Sequence, residues 1–548
     1  MLGVFTTHEP TEGLAVKSVE DLNETNIDPH IHLDARALSD APDDSTLASK
    51  DNKAEDSDRQ GSEKSPEPLY VEFEPGDSRD PVNYSRSRKW AITAIACYST
   101  FIAASTSSAY SLGFSTMTTD LNCTELRATV GLSVYNLGFG LVPLVSSSLS
   151  EEFGRQPLYL ASATGFTLMY LAIALAQNIQ TVIVARFLQG GFGSTWATMV
   201  GGTIADIWLP QERGLPMAIF SVAAVGGTGL GPVAAGWIEM NPHLGWRWIQ
   251  WIQMIHCGVY SIFVPLLMRE TRSSILLTRL AKKLRKETGD KRYRARVEDE
   301  RADLATLIFI SCTRPIRLLF TEPVVSSFSL WVGFLWGLMF CMIDSIPGVF
   351  SDLHLFNIGE QGTAFISLAI GTALGFGLHF YQDHLYHKFV GKKGPEARLI
   401  SVCGAAIMLP ISIFIYAWCS FARIHWISLI IALTLYIWAT YIVYLAVFSY
   451  LADCYGPFAS SALAGQSLCR NLMGTAFPLF TRQMFARLGY NWANTIFALI
   501  ATVMVPIPFI LYNFGPQIRA RSHFSSVVME REAAAAASTA AQTADEKR

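Results

Sequence analysis

Repeated long apolar runs decide what this chain can fold into. They recur from about residue 90 to about residue 514, and a run of about 20 mostly apolar residues is what a helix needs to cross a hydrocarbon core of about 30 Å. Twelve spans are placed. The first six run approximately 90 to 112, 128 to 149, 157 to 176, 183 to 205, 216 to 238 and 247 to 268. The second six run approximately 328 to 350, 362 to 381, 398 to 419, 425 to 451, 460 to 482 and 492 to 514. A bilayer offers no partner to backbone N–H and C=O groups, and the runs lack the alternation of a membrane barrel, so each is read as a helix. Composition agrees: 51% of residues are hydrophobic and 16% charged, against about 25% charged in soluble domains. The expected fold is an all-α membrane protein with twelve transmembrane helices in two six-helix halves.

The remaining sequence divides around those halves. Residues 1–85 are rich in Asp, Glu and Ser without a long apolar run, the composition of a disordered acidic tail. Residues 86–268 form the first half, 269–327 a basic linker, 328–515 the second half, and 516–548 a tail with an alanine tract. Arg86, Arg88 and Lys89 precede the first span, and Arg272, Arg279, Lys282, Lys283, Arg285 and Lys286 open the linker. Lys388, Lys392 and Lys393 follow the eighth span, and Arg519 and Arg521 the twelfth. Alternating spans put all of these on one side, which the positive-inside rule makes the cytoplasm, with both termini there. The opposite side receives Asn122-Cys123-Thr124, a glycosylation sequon.

Two six-span halves joined by a long basic linker match secondary transporters built from repeats around a midplane site. The nine cysteines are scattered, without metal or disulfide spacing. Neither a phosphate-binding G-x-x-x-x-G-K-[ST] loop nor an H-E-x-x-H helix occurs. An ATP-driven pump and an enzyme are therefore not expected, nor a metal, a cofactor or a nucleic-acid partner. The expected partners are a small-molecule cargo, protons and lipid, and the expected state is a monomer.

Three local sequences carry a family resemblance. After the second span stands Ser147-Ser148-Leu149-Ser150-Glu151-Glu152-Phe153-Gly154-Arg155-Gln156-Pro157, and the fourth span holds Arg186-Phe187-Leu188-Gln189-Gly190 and ends Gly201-Gly202-Thr203-Ile204-Ala205-Asp206. The fifth carries Gly227, Gly229, Gly231, Pro232 and Gly236. Together these resemble the signatures of the major facilitator superfamily, in its fungal twelve-span drug:proton antiporter branch of polyamine and multidrug type. Later stretches, Asp453-Cys454-Tyr455-Gly456 and Ser460-Ser461-Ala462-Leu463-Ala464-Gly465, fit the same branch. Ser147 and Ala235 stand where the family has glycine, Glu151 where it has Asp, and Glu152 at an often basic position.

The resemblance implies that Glu151, Arg155 and Asp206 latch the two halves in the outward-facing state, with a carboxylate near a helix N-terminus of the other half. It implies proton coupling through Arg186, and an antiporter helix marked by Gly227, Gly231, Pro232 and Gly236. Read from the residues alone, charges inside spans are few and costly. Asp344 is the one acid well inside a span and a candidate proton carrier or cation contact, with a place in an outer vestibule as the competing reading. Arg470, about midway through the eleventh span, is set either to attract an anionic cargo or, on the more cautious reading, to pair with Asp344 or Asp453. Tyr135, Asn136, Gln189, Tyr441, Tyr444, Gln466, Arg470 and Asn471 are candidate cavity residues, with ordinary helix-to-helix hydrogen bonding as the competing reading for each. The expected function is proton-coupled export of an amphipathic metabolite, toxin or drug across the plasma membrane. Export of a small organic acid or a polyamine is the alternative within that class, and a transporter-like nutrient receptor the alternative outside it.

Overall fold

The backbone accounts for its own polar groups by running almost wholly in helices. A computed structural model describes residues 14–17, 68–209, 212–300 and 303–530. Six membrane helices form the first half: Arg86–Ala109, the bent pair Glu125–Leu141 and Pro143–Phe153, Arg155–Ala174, Ile179–Ile207, Gly214–Glu239 and Gly245–Leu267. The second is bent by 44° where Pro143, lacking an amide donor, restarts the helix. The second half comprises Pro323–His354, the pair Ile358–Ala364 and Ile366–Lys393, Ile400–Cys419 and Ile427–Tyr455. Its last two spans share the stretch Ala459–Met504, broken at Gly489 (φ 75°, ψ 163°), and Pro506–Ala520 completes the twelfth. The left-handed φ at Gly489 is one that a residue with a Cβ rarely adopts.

The helices overrun the apolar sequences at both ends. Pro323–His354 has 32 residues, about 48 Å at 1.5 Å per residue, so its ends stand clear of a hydrocarbon layer of about 30 Å. The added turns, 323–327 and 351–354, include Ser326, Ser327, Ser351, Asp352 and His354, and hydropathy alone does not reveal them.

Packing repeats between the halves. The first span packs on the fifth as the seventh does on the eleventh, and the second on the fourth as the eighth does on the tenth. The halves join where the second span meets the eleventh and the fifth meets the eighth, two contacts that exchange under the same correspondence. This is the internal two-fold relation of repeat-built transporters.

On the basic face the linker carries more structure than a charged tether. Ser273–Thr288 and Leu304–Thr321 are helical. The second of these is long and apolar enough to span, yet it lies across the ends of two spans. Ser148 of the second span bonds Ser311 at 2.6 Å and the Leu307 carbonyl at 3.2 Å, while Gly465 of the eleventh faces the Pro315 carbonyl. Residues 68–85, assigned above to a disordered tail, are ordered. The strand Leu69–Phe73 pairs antiparallel with Leu14–Lys17 and parallel with Tyr293–Arg294. Val71 is buried with Ala281 and Ala295, and this apolar contact explains the order. The rest of the 1–85 tail and the alanine tract lie outside the described residues.

Candidate functional site

Charged side chains gather at three levels, and each is built differently. At the basic face, the third span starts at Arg155 directly after Gly154, whose φ of 92° turns the chain back into the membrane. That turn sets the buried Arg155 guanidinium against Asp206 at the end of the fourth span: Nη2 donates to Oδ1 at 3.3 Å and Nε to Oδ2. Thr271 adds a hydroxyl donor to the same carboxylate at 3.3 Å. Glu151 lies 3.6 Å from Arg272 and adds its negative charge near Arg155. Glu270, which sequence reasoning passed over, holds the turn instead. Its carboxylate accepts the backbone N–H of Arg155 at 3.0 Å and of Gln156 at 3.4 Å, where the third helix's dipole is positive. A carboxylate at a helix N-terminus is thus present, but it comes from the start of the linker and meets the first half rather than the second. Its sequence signal was an acid alone among basic residues, in Arg269-Glu270-Thr271-Arg272.

The second half repeats the arrangement. Arg398, heading the ninth span, donates from Nε to Asp453 near the end of the tenth at 2.5 Å, and Tyr386 adds its hydroxyl at 3.4 Å. Glu396 is buried against Arg519, with N–O distances of 2.8 and 2.9 Å. Asp453 is therefore engaged and does not meet Arg470.

Within the membrane, Arg186 and Arg470 occupy separate sites. Arg186 is fully buried in the first half, its guanidinium 4.2 Å from the Tyr110 ring centroid and 4.4 Å from that of Tyr135. Carbonyls of Gly131 and Thr106 and the Gln189 amide oxygen accept its protons at 3.1 to 3.3 Å. Among the described residues no carboxylate takes part, so Arg186 and Asp344 are not brought together. Tyr135 donates to the Ala103 carbonyl at 2.9 Å, Tyr441 ties the tenth span to the Ala218 carbonyl of the fifth at 3.1 Å, and Asn136 reaches the Gly474 carbonyl of the eleventh at 3.2 Å. These are helix-to-helix bonds.

Arg470 differs. It lies 4.5 Å from the Trp336 ring centroid and 5.3 Å from that of Tyr444. Its Nη2 meets Ser467 Oγ at 3.3 Å, its buried Nε has no hydrogen-bond partner, and it forms no ion pair among the described residues. Asn471 beside it bonds the Ser467 carbonyl at 2.8 Å. Ring contacts of this kind contribute about 0.5 to 2 kcal/mol, less than the several kcal/mol that burying an ion costs.

Towards the face opposite the linker the halves close on each other. Gly236 of the fifth span lies where a Cβ would stand 2.7 Å from the Ile358 carbonyl and 3.0 Å from Gly362 Cα, both in the eighth span. Gly229 meets the Ala369 amide in the same way, at 2.7 Å. Gly227 and Gly231 turn instead to Phe101 and Ser105 of the first span. A glycine costs an isolated helix about 1 kcal/mol relative to alanine; here its absent side chain is what lets backbones touch. Pro232 stands inside that helix, and its carbonyl faces Gly362. Ser111 bonds the Ile343 carbonyl at 3.3 Å across the same closure. Arg482, also missed in the sequence, bridges the halves: it pairs with Glu125 of the second span and lies 3.6 Å from Asp344 of the seventh. The Asp344 side chain is wholly buried, and neither carboxylate oxygen has a hydrogen-bond partner. Asn122 sits exposed in the turn on this face, at φ 45°.

Twelve helices in two related halves, with charges confined to a midplane and two closing faces, define the secondary-transporter class. A profile of the Major Facilitator Superfamily matches residues 96–478, and the chain belongs to that family. It is 35% identical over 471 residues to the MFS-type efflux pump MFS2 of Trichophyton rubrum, covering 85% of this chain and 79% of that one. It is 34% identical to the major facilitator superfamily multidrug transporter mdrA of Aspergillus fumigatus, over 85% and 77% of the two chains. The multidrug transporter FLR2 of Candida glabrata is 33% identical over 84% and 80%. Among solved structures, the proton:xylose symporter XylE superposes with a TM-score of 0.57 at 14% identity, covering 79% of this chain and 96% of that one. At that identity the likeness concerns the fold.

Proposed function

We propose that this chain is a proton-coupled exporter of small amphipathic compounds that works by alternating access, with the basic face in the cytoplasm and the plasma membrane as its location. The observation that carries the reading is the group on the opposite face. Asp344 is a buried acid without hydrogen bonds, and the Arg482 beside it also holds Glu125 of the other half. Loading or unloading a proton on Asp344 changes the charge that Arg482 faces within the contact that closes this side. A bound proton is thereby linked to the choice of open face. Closure on the opposite face makes this the inward-facing state. The basic-face latch is then disengaged between halves, in keeping with Arg155 and Asp206 meeting within the first half and Glu270 of the linker joining them there. Export as the direction draws on the relatives named efflux pump and multidrug transporter. The interior presents arginines rather than a cluster of acids, which argues against polyamines as cargo. The exposed Asn122 of the sequon is read as a glycan acceptor on the outer side.

The test compares small molecules in the medium and inside cells that contain or lack the protein, with an Arg155→Ala strain alongside. A set of compounds enriched in the medium only with the parent protein is expected. Identical media with and without it would overturn export.

A further inference from the structure

We infer that Arg470 is the anion-recognising residue of the cargo site, so that the transported compound carries a carboxylate or similar oxyanion on an apolar, ring-bearing body. The inference rests on the transporter reading above and deepens it. Three observations converge on it. First, Arg470 is a permanent cation, 92% buried by its 8% relative exposure, and the acids of the neighbouring spans are engaged elsewhere. Asp344 faces Arg482, Asp453 holds Arg398, and Glu239 accepts from Thr116. Second, the groups left unsatisfied here are donors. Arg470 Nε and the amide nitrogen of Gln466 are both buried without a partner, and residues four apart lie on one face of a helix. A face with two unfilled donors and a positive charge is complementary to an acceptor bearing negative charge. Third, the walls are aromatic. Trp336 and Tyr444 lie 5.2 Å apart between ring centroids, and Phe340 packs against Gly474 one turn beyond Arg470. A cargo with an oxyanion head on Arg470 and Gln466 and an apolar body along these rings uses every feature of the site. Arg186 also keeps a buried Nη2 and the Gln189 amide nitrogen without partners, but three oxygens already accept its other protons, two tyrosine rings cover it and it is fully buried, whereas Arg470 makes one hydrogen bond and retains 8% exposure.

The test uses the full chain purified in detergent and three probes of one shape: 1-naphthoate, naphthalene-1-carboxamide and 1-naphthylmethylammonium. Binding at pH 7 is expected to be at least about tenfold tighter for the naphthoate than for the amide, as charge-assisted bonds to arginine require, and weakest for the ammonium. Arg470→Gln is expected to erase the preference while still binding the amide, which also reports that the variant is folded. Arg470→Lys keeps the charge without the planar fork and is expected to retain part of the preference. A parent protein that binds the three probes alike overturns the inference, with no variant needed, as does an Arg470→Gln protein that still prefers the naphthoate. Flux in proteoliposomes separates this from the transport reading. Proton-linked movement that is blind to probe charge sinks the anion site and leaves transport standing. Arg470-dependent naphthoate binding without proton-linked movement of any probe does the reverse.

Discussion

A buried arginine is stable only where its charge is answered, and the four buried arginines among the described residues are answered in three ways. Arg155 and Arg519 each have a carboxylate, Arg186 has three oxygen acceptors and two rings with one donor left over, and Arg470 has two rings and a single hydroxyl acceptor with its Nε unfilled. Their substitutions are therefore expected to differ. Arg155→Ala leaves Asp206 without its cation at the turn between the second and third spans, while the apolar spans still insert. Transport is expected to fall below about a tenth of the parent's, a change for which about 1.4 kcal/mol in the switching equilibrium suffices. Flux normalised to the protein in the membrane checks this, and normal flux would remove the latch. Asp344→Asn keeps the shape of a wholly buried side chain but cannot carry a proton. That variant is expected to move cargo down its own gradient and to lose all acceleration by a pH step. Retained acceleration would place the proton on another acid. The pairing of Arg155 with Asp206 was legible in the motif. The roles of Glu270 and Arg482 were not, because each depends on a partner more than 100 residues away in sequence: Arg155 for the first, Glu125 for the second.

Among the elements, the fifth span shows how glycine placement decides a contact. Gly227 and Gly231 serve packing within the first half, whereas Gly229 and Gly236 serve closure against the eighth span. Gly236→Val would drive methyl groups into the Ile358 carbonyl and Gly362, and is expected to hold the opposite face open. A suitable reporter is Ser111→Cys in a Cys123→Ser background, since Ser111 is buried beneath that closure. Its labelling by a membrane-impermeant maleimide is expected to rise about fivefold or more with Gly236→Val, the shift that about 1 kcal/mol produces. Unchanged labelling would mean that the fifth and eighth spans do not form the gate. The twelve spans were readable because lipid demands long apolar runs. The end turns, the strand Leu69–Phe73 and the helix Leu304–Thr321 were hidden for separate reasons. Polar end turns leave no hydropathy signal, the helix Leu304–Thr321 is apolar but sits inside a stretch read as a charged linker, and a short strand is recognised only through its partner, here Tyr293–Arg294 some 220 residues on.

At the scale of the whole molecule, the two related halves touch along the second and eleventh spans and along the fifth and eighth, which is the geometry for rocking about a midplane site. The linker helix Leu304–Thr321 ties the basic ends of both halves while the opposite ends meet directly. Exchange of protons for cargo is the central claim, and simultaneous flux in proteoliposomes tests it most directly. Vesicles holding the full chain and a trapped pH dye are given an acidic interior, and 1-naphthoate, naphthalene-1-carboxamide or a cationic rhodamine is added outside. Exchange requires at least one probe to accumulate inside as the interior alkalinises, with the accumulation lost when a protonophore collapses the gradient and both movements lost in the Arg155→Ala protein. For the naphthoate this accumulation runs against the passive distribution of a weak acid, which favours the alkaline side. Probe entry at one rate with and without the pH step and the protonophore, and no proton movement, would contradict exchange and make the protein a facilitated uniporter.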